Sequence, residues 1–265
     1  MDGLLEAAGR LLHSLLHRPY SFLPFFIFLW AAGRQFGFRR VLLLAVSGYL
    51  LAWLSEFSSI HTGFPYGRYA YLPAALEGDL LVFGVPFFDS LSYVFLAWFS
   101  WTSAELLAGG PSPAGRRSRR ALFLAAGLMT WLDVVVDPVA TAGDRWFLGR
   151  IHAYAAPGTW FGVPFSNFLG WFLTALAILF VWQRIDRAAG AAPPPPRRPL
   201  PGESFFGPAG YFGVAAFSIV MAFAIGEAGM ALAGLFVQLP VLLWMLARAA
   251  STPARGRAPS SPPKP

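Results

Sequence analysis

Long apolar runs constrain this chain more than any other feature. Seven can be drawn: Pro19–Gly33, Val41–Ile60, Leu80–Leu107, Ala121–Ala140, Val163–Trp182, Tyr211–Glu227 and Met230–Ala247. A helix that crosses a bilayer needs about 20 predominantly apolar residues. Most of the seven reach that length; the first and the sixth are marginal. The first is flanked by Arg18 and Arg34, whose aliphatic stems can snorkel to the interface. The fold expected is all-α: a polytopic membrane helix bundle of about seven transmembrane helices. Composition agrees. The chain is 56% hydrophobic and 12% charged, against about 25% charged in a typical soluble domain.

The net charge of +7 raises nucleic acid as a partner. The basic residues sit in short gaps between apolar runs, not on one face, so no nucleic-acid partner is expected. There are no cysteines, hence no disulfide or thiolate chemistry. Asp2 and Glu6 precede the apolar run Tyr20–Trp30 and no compact basic region does, so that run reads as a first membrane helix, not a cleaved signal. Alternate gaps are rich in arginine: Arg34, Arg39 and Arg40; Arg116, Arg117, Arg119 and Arg120; Arg184 and Arg187; Arg248 and Arg255. The other gaps hold only Arg68, Arg145 and Arg150. This bias predicts a multi-pass protein of the cell membrane with a cytoplasmic C-terminus and an outer N-terminus. The division expected is an interfacial segment 1–18, a main bundle 19–190, a Pro-rich linker 191–204, two further membrane helices 205–248 and a disordered tail 249–265.

The chain repeats itself. "FGVPF" occurs from Phe83 and again from Phe161, and at the same offset Trp53-Leu54 matches Trp131-Leu132 and Asp89 falls on Asn167. Gly67–Tyr71 loosely matches Gly149–Tyr154. Spans two and three thus resemble spans four and five, a parallel repeat. Within each copy, Gly-Val-Pro sits where an outer loop re-enters the membrane. Pro suits the start of a helix and Gly allows close backbone approach, so the motif reads as a helix-start device.

Ionisable residues inside apolar runs are costly and usually face a bundle interior. Glu56, Asp89, Asp133, Asp137 and Glu227 are such residues. In "WLDVVVDP", Asp133 and Asp137 are four apart and share one helix face. Two carboxylates this close do not both ionise readily, which makes one a candidate proton donor. The competing reading is a helix-terminal cap or an ion pair with Arg145 or Arg150. Glu56 and His61 flank the equivalent place in the first copy. "HTGFPYGRYAY" adds Tyr66, Arg68, Tyr69 and Tyr71, a polar and aromatic loop suited to a cavity mouth. Asp89 and Asn167 open the re-entering helices and either cap them or line the same cavity. Glu227 reads as structural. Trp53, Trp98, Trp101, Trp131, Trp160 and Trp171 are candidate walls, or members of an interfacial belt. Acids within aromatic walls suit carbocation chemistry, because π-faces stabilise cations.

With "HTGFPYGRYAY", "WLDVVVDP" and "FGVPFSNFLGWF", the chain resembles a family of membrane carotenoid biosynthesis proteins that includes carotenoid hydratases. The resemblance covers about Trp53 to Trp182. It implies a long carotenoid with an unsaturated ψ-end as substrate, and addition of water to the terminal double bond. On that footing Asp133 and Asp137 supply the proton. Glu56 or His61 orients or deprotonates the attacking water. Tyr66, Arg68, Tyr69, Asp89, Trp131, Asn167 and Trp171 contact substrate, water or a carboxyl. No cofactor and no metal is required. Membrane lipid surrounds the protein, and association with other carotenoid enzymes is a further expectation. The alternatives are a lycopene-type cyclase sharing the protonation step, a membrane prenyltransferase, and a non-enzymatic carotenoid transporter or binding protein. The prenyltransferase is weakened because only one D-x-x-x-D is present where two metal-binding clusters are usual.

Overall fold

The computed structural model describes residues 2–108, 112–190, 200 and 202–251. Most of the expected linker (191–199 and 201) and the tail from 252 lie outside the described residues. The apolar runs fold as helices. In chain order the elements are α1 (Asp2–His17), α2 (Pro19–Phe36), α3 (Phe38–Thr62), β1 (Tyr69–Tyr71), β2 (Leu81–Val82), β3 (Val85–Pro86), α4 (Phe87–Leu107), α5 (Pro113–Arg116), α6 (Arg119–Thr141), β4 (His152–Tyr154), α7 (Phe165–Ala188), α8 (Phe206–Ala224) and α9 (Ala228–Ser251). The chain is an all-α bundle and a multi-pass membrane protein. Among the described residues, five stretches are long and apolar enough to cross a bilayer: α3, α6, α7, Glu203–Ala224 and α9.

The other two expected spans coincide with α2 and α4. Helix α2 is shorter and carries Pro24 internally. Helix α4 is the central pillar: nearly every side chain from Phe88 to Leu107 is buried, and α2, α3, α6 and α8 pack around it. An apolar helix with no polar face belongs inside a bundle. Its Trp98 and Trp101 join Phe28 and Trp182 in a core of rings, with Phe28 to Trp98 at 5.8 Å and Trp101 to Trp182 at 5.8 Å.

The repeated pentapeptide turns out to be a hairpin followed by a helix start. Strands β2 and β3 pair Val82 with Val85 across Phe83 and Gly84, whose φ values are +52° and +84°. Two left-handed central residues define a type I′ hairpin turn. In the second copy Trp160 pairs with Val163 across Phe161 and Gly162, at +48° and +87°. Pro86 and Pro164 are then the N-caps of α4 and α7. Close backbone approach is not why Gly is there: a Cβ at Gly162 would meet nothing within 4 Å. The positive φ is the reason. The hairpin also explains why the third apolar run begins at Leu80 while its helix begins at Phe87.

Arg18 does not snorkel. It is buried, paired with Asp79 at 2.7 Å, and donates to the carbonyls of Leu148 and Ala75. It therefore ties the start of α2 to both loops that roof the acid-bearing end of the bundle. At the opposite end Asp186 of α7 accepts from Arg40, Arg116 and Arg117 at 3.0, 3.2 and 2.6 Å.

Candidate active site

A cavity of about 780 Å³ lies against α4, with α2, α6, α7 and α8 around it and β1 and β4 above. Two carboxyl clusters face it, one from each copy of the repeated sequence.

The first cluster joins α3, α4 and β1. Glu56 is 2% exposed. Its Oε2 accepts from Ser90 Oγ, and Tyr71 OH lies 3.1 Å from its Oε1 and 2.8 Å from Asp89 Oδ2. A phenol has one hydrogen. It can satisfy one of these carboxyl oxygens, and the other contact needs a proton held by the carboxyl itself.

The second cluster joins α6, α7 and β4. Asp133 and Asp137 lie one turn apart on the same face of α6, as their spacing predicts. Pro138 follows directly. Lacking an N–H, it leaves the carbonyl of Val134 without its helical donor. Trp160 Nε1 fills that place at 2.9 Å, which holds the second hairpin against this face. Asn167 Nδ2 has two hydrogens, and it reaches Asp133 Oδ2 at 2.8 Å and Asp137 Oδ2 at 3.2 Å. Tyr154 OH donates to Asp137 Oδ2 at 2.6 Å, and His152 Nε2 sits 3.5 Å from Asp137 Oδ1. That last separation is an ion-pair distance, too long for a hydrogen bond. The two acids are thus unequal: Asp137 has three groups turned to it, while Asp133 Oδ1 is buried with no partner.

The two-stranded β1–β4 ladder joins the clusters. Tyr71 pairs with His152 and Tyr69 with Tyr154, which sets all four side chains on one face. Tyr69 OH is 3.4 Å from Tyr71 OH, and its ring lies 6.0 Å from His152 and 6.1 Å from Tyr154. Burial holds the Tyr69, Tyr71 and Tyr154 phenols above their usual range, so they remain proton donors. Burial alone would lower His152, but the nearby Asp137 and Asp89 carboxyls outweigh it and raise the imidazole above its ordinary value. Below them Tyr93 stacks on Trp171 at 4.2 Å.

Of the residues expected from the sequence, Glu56, Tyr66, Tyr69, Asp89, Asp133, Asp137, Asn167 and Trp171 line this cavity. Three do not. His61 is exposed, its ring 4.3 Å from Phe57 and its Nδ1 on the Phe57 carbonyl. Arg68 is exposed at the head of β1. Trp131 points the other way, donating to the Val237 carbonyl of α9. Nor are Trp98 and Trp101 walls; they are buried in the core, while Trp53 and Trp160 donate to backbone carbonyls. The capping reading of Asp89 and Asn167 also gives way, since Pro86 and Pro164 hold the cap positions. Arg145 pairs with Glu227, not with the acids of α6. Sequence reasoning missed His152 and gave no role to Tyr154. The one available signal was the alignment of Gly67–Tyr71 with Gly149–Tyr154.

A family profile described as "Carotenoid biosynthesis protein" matches residues 19–241. The chain is 31% identical over 191 residues to a protein of Haloarcula japonica named bisanhydrobacterioruberin hydratase, covering 70% of this chain. It spans 61% of that relative's length. No solved structure matches the chain.

Proposed function

The chain belongs to the carotenoid biosynthesis protein family, and from that premise we propose that it adds water to the terminal double bond of a carotenoid ψ-end by acid catalysis. The observation that carries this reading is the inequality of Asp133 and Asp137 inside an apolar, aromatic cavity. Asn167, Tyr154 and His152 support negative charge on Asp137. Asp133 delivers a proton from the oxygen that has no protein partner.

The proton bonds to the less substituted alkene carbon as the π-bond breaks. The resulting tertiary cation lies within the tyrosine and tryptophan rings, whose faces stabilise positive charge. Water bonds to the cationic carbon and gives up a proton. Glu56 and Asp89, bridged by Tyr71, are the groups suited to orient that water and take the proton. The first cluster then releases its proton to solvent and Asp133 regains one from solvent, so the cycle closes and the net change is one added water. This chemistry asks for no cofactor. The distribution of arginines supports an acid-bearing end directed away from the cytoplasm and a cytoplasmic C-terminus. The backbone shared by the two pentapeptides supports the parallel repeat.

Expression in a host that accumulates a linear carotenoid tests the reading. A product heavier by one water per modified end is expected. An isomer of unchanged mass would identify a cyclase instead, an added isoprenoid unit a prenyltransferase, and an unaltered carotenoid a binding protein.

A further inference from the structure

The cavity does not end at the acids. It runs on as a groove over α4, between α2 and α8, with no charged side chain from either of those helices. Leu23 and Ile27 of α2 and Gly213 and Phe217 of α8 line it and are also exposed, which marks them as its mouth. Helices α2 and α8 both pack on α4 but hardly on each other. The slit between them is closed at each end by rings. Trp30 and Phe206 meet at 5.6 Å at one end. At the other, Phe147 stands 5.9 Å from Tyr20 and 6.2 Å from Phe217.

Two glycines of α8 act differently here. A Cβ at Gly210 would fall 2.4 Å from the Phe99 ring, so this glycine lets α8 seat on α4. A Cβ at Gly213 would meet nothing within 4 Å. It faces open space at the lip of the groove.

We propose that this slit is a lateral portal and a binding site for half of a polyene chain. One end group reaches the acids, the adjoining stretch lies over Phe95 and Phe99, and the rest of the chain leaves between α2 and α8 into lipid. The proposal rests on the carotenoid reading above. Length sets the limit: from Tyr20 to Trp30, α2 rises about 15 Å, half of the roughly 30 Å hydrocarbon thickness. A polyene long enough to span the bilayer cannot be enclosed. The far end group is therefore not inspected, and a substrate modified at both ends must leave and return reversed.

The test is carotenoid retention by the purified full-length protein in lipid nanodiscs, with water addition measured in parallel. Gly213→Trp fills the groove from one lip and Ile27→Trp, at an exposed position, from the other. Each should bind at least about tenfold more weakly, the effect of losing about two buried methylene groups. Asp133→Asn should retain binding and lose hydration. A carotenoid cyclised at its far end should bind as well as a fully linear one. If the wild type binds but adds no water, and both Trp variants lose binding, the hydratase reading fails and the portal stands. If the Trp variants bind like wild type, if far-end cyclisation abolishes binding, or if the wild type binds no polyene, the portal is overturned.

Discussion

At Phe83–Phe87 and Phe161–Phe165 the backbone performs the same manoeuvre, a left-handed turn and then a proline-capped helix. Two residues further on, the copies present different polar groups. The first places Asp89 beside Glu56, so that one phenol stands between two carboxyls. The second places Asn167, whose amide serves two carboxyls at once. The turn fixes where the side chain goes, and its chemical type decides what the cluster can do. In this account the second cluster holds and delivers the proton, and the first manages water.

The sharpest break of that comparison is to neutralise one acid in each half. Asp133→Asn should lower water addition by about 1,000-fold, within the range for loss of a general acid. Glu56→Gln should cost only about tenfold, since water can still bind and lose its proton to Asp89 or solvent. Initial rates of product formation compare the two. Equal losses would erase the division of labour.

Next in size is Asn167→Asp, which makes the second half copy the first. It removes the amide that serves both acids and adds a third carboxyl. Activity should fall about 100-fold, and stability by about 2 kcal/mol through lost bonds to charged groups. Denaturation in detergent alongside the rate would show both. A variant with wild-type rate would mean that Asn167 has no part in holding the acids.

His152 gives the second cluster an imidazole, a titratable group that the first cluster does not contain. Its folded value is raised above the ordinary 6.5. Its contribution to stability is therefore complete below the unfolded value and fades as pH rises through the folded one. Melting temperature in detergent should drop as pH rises above the ordinary imidazole value of about 6.5, and the drop should shrink in His152→Asn. An identical profile in the variant would remove His152 from the ion pair.

The smallest effect concerns the turns. A left-handed Phe costs roughly 1 kcal/mol. Phe83 is 77% exposed, so Phe83→Asn should stabilise by up to that amount. Phe161 is 38% exposed and its ring lies 5.1 Å from Trp160, so Phe161→Asn should gain less. Unfolding midpoints rank the two, and the opposite order would contradict the account of these contacts.

Much of the site was legible because burying an ionisable group in an apolar run needs a reason. Glu56, Asp89, Asp133 and Asp137 declare themselves that way, and Asn167 follows from the repeat, which sets it on Asp89. The misplaced residues fail a simple rotation test. His61 lies five positions after Glu56, about 140° around the helix, and Trp131 two before Asp133, about 160° away. Arg68 precedes a strand whose Tyr69 and Tyr71 face inward, so the alternate positions face out. His152 and Tyr154 were hidden for a different reason. They come into place only when β4 pairs with β1, across more than 80 residues of chain that carry no local signal of that pairing. The groove between α2 and α8 is likewise a gap between helices, and gaps leave no mark in composition.

Hydration is tested most directly by where the new oxygen comes from. The wild-type protein in nanodiscs should be given a linear carotenoid in water enriched in oxygen-18, and the product mass measured. A tertiary alcohol carrying one heavy oxygen per modified end is expected, absent with Asp133→Asn. A product without the label, or an isomer of unchanged mass, would contradict it.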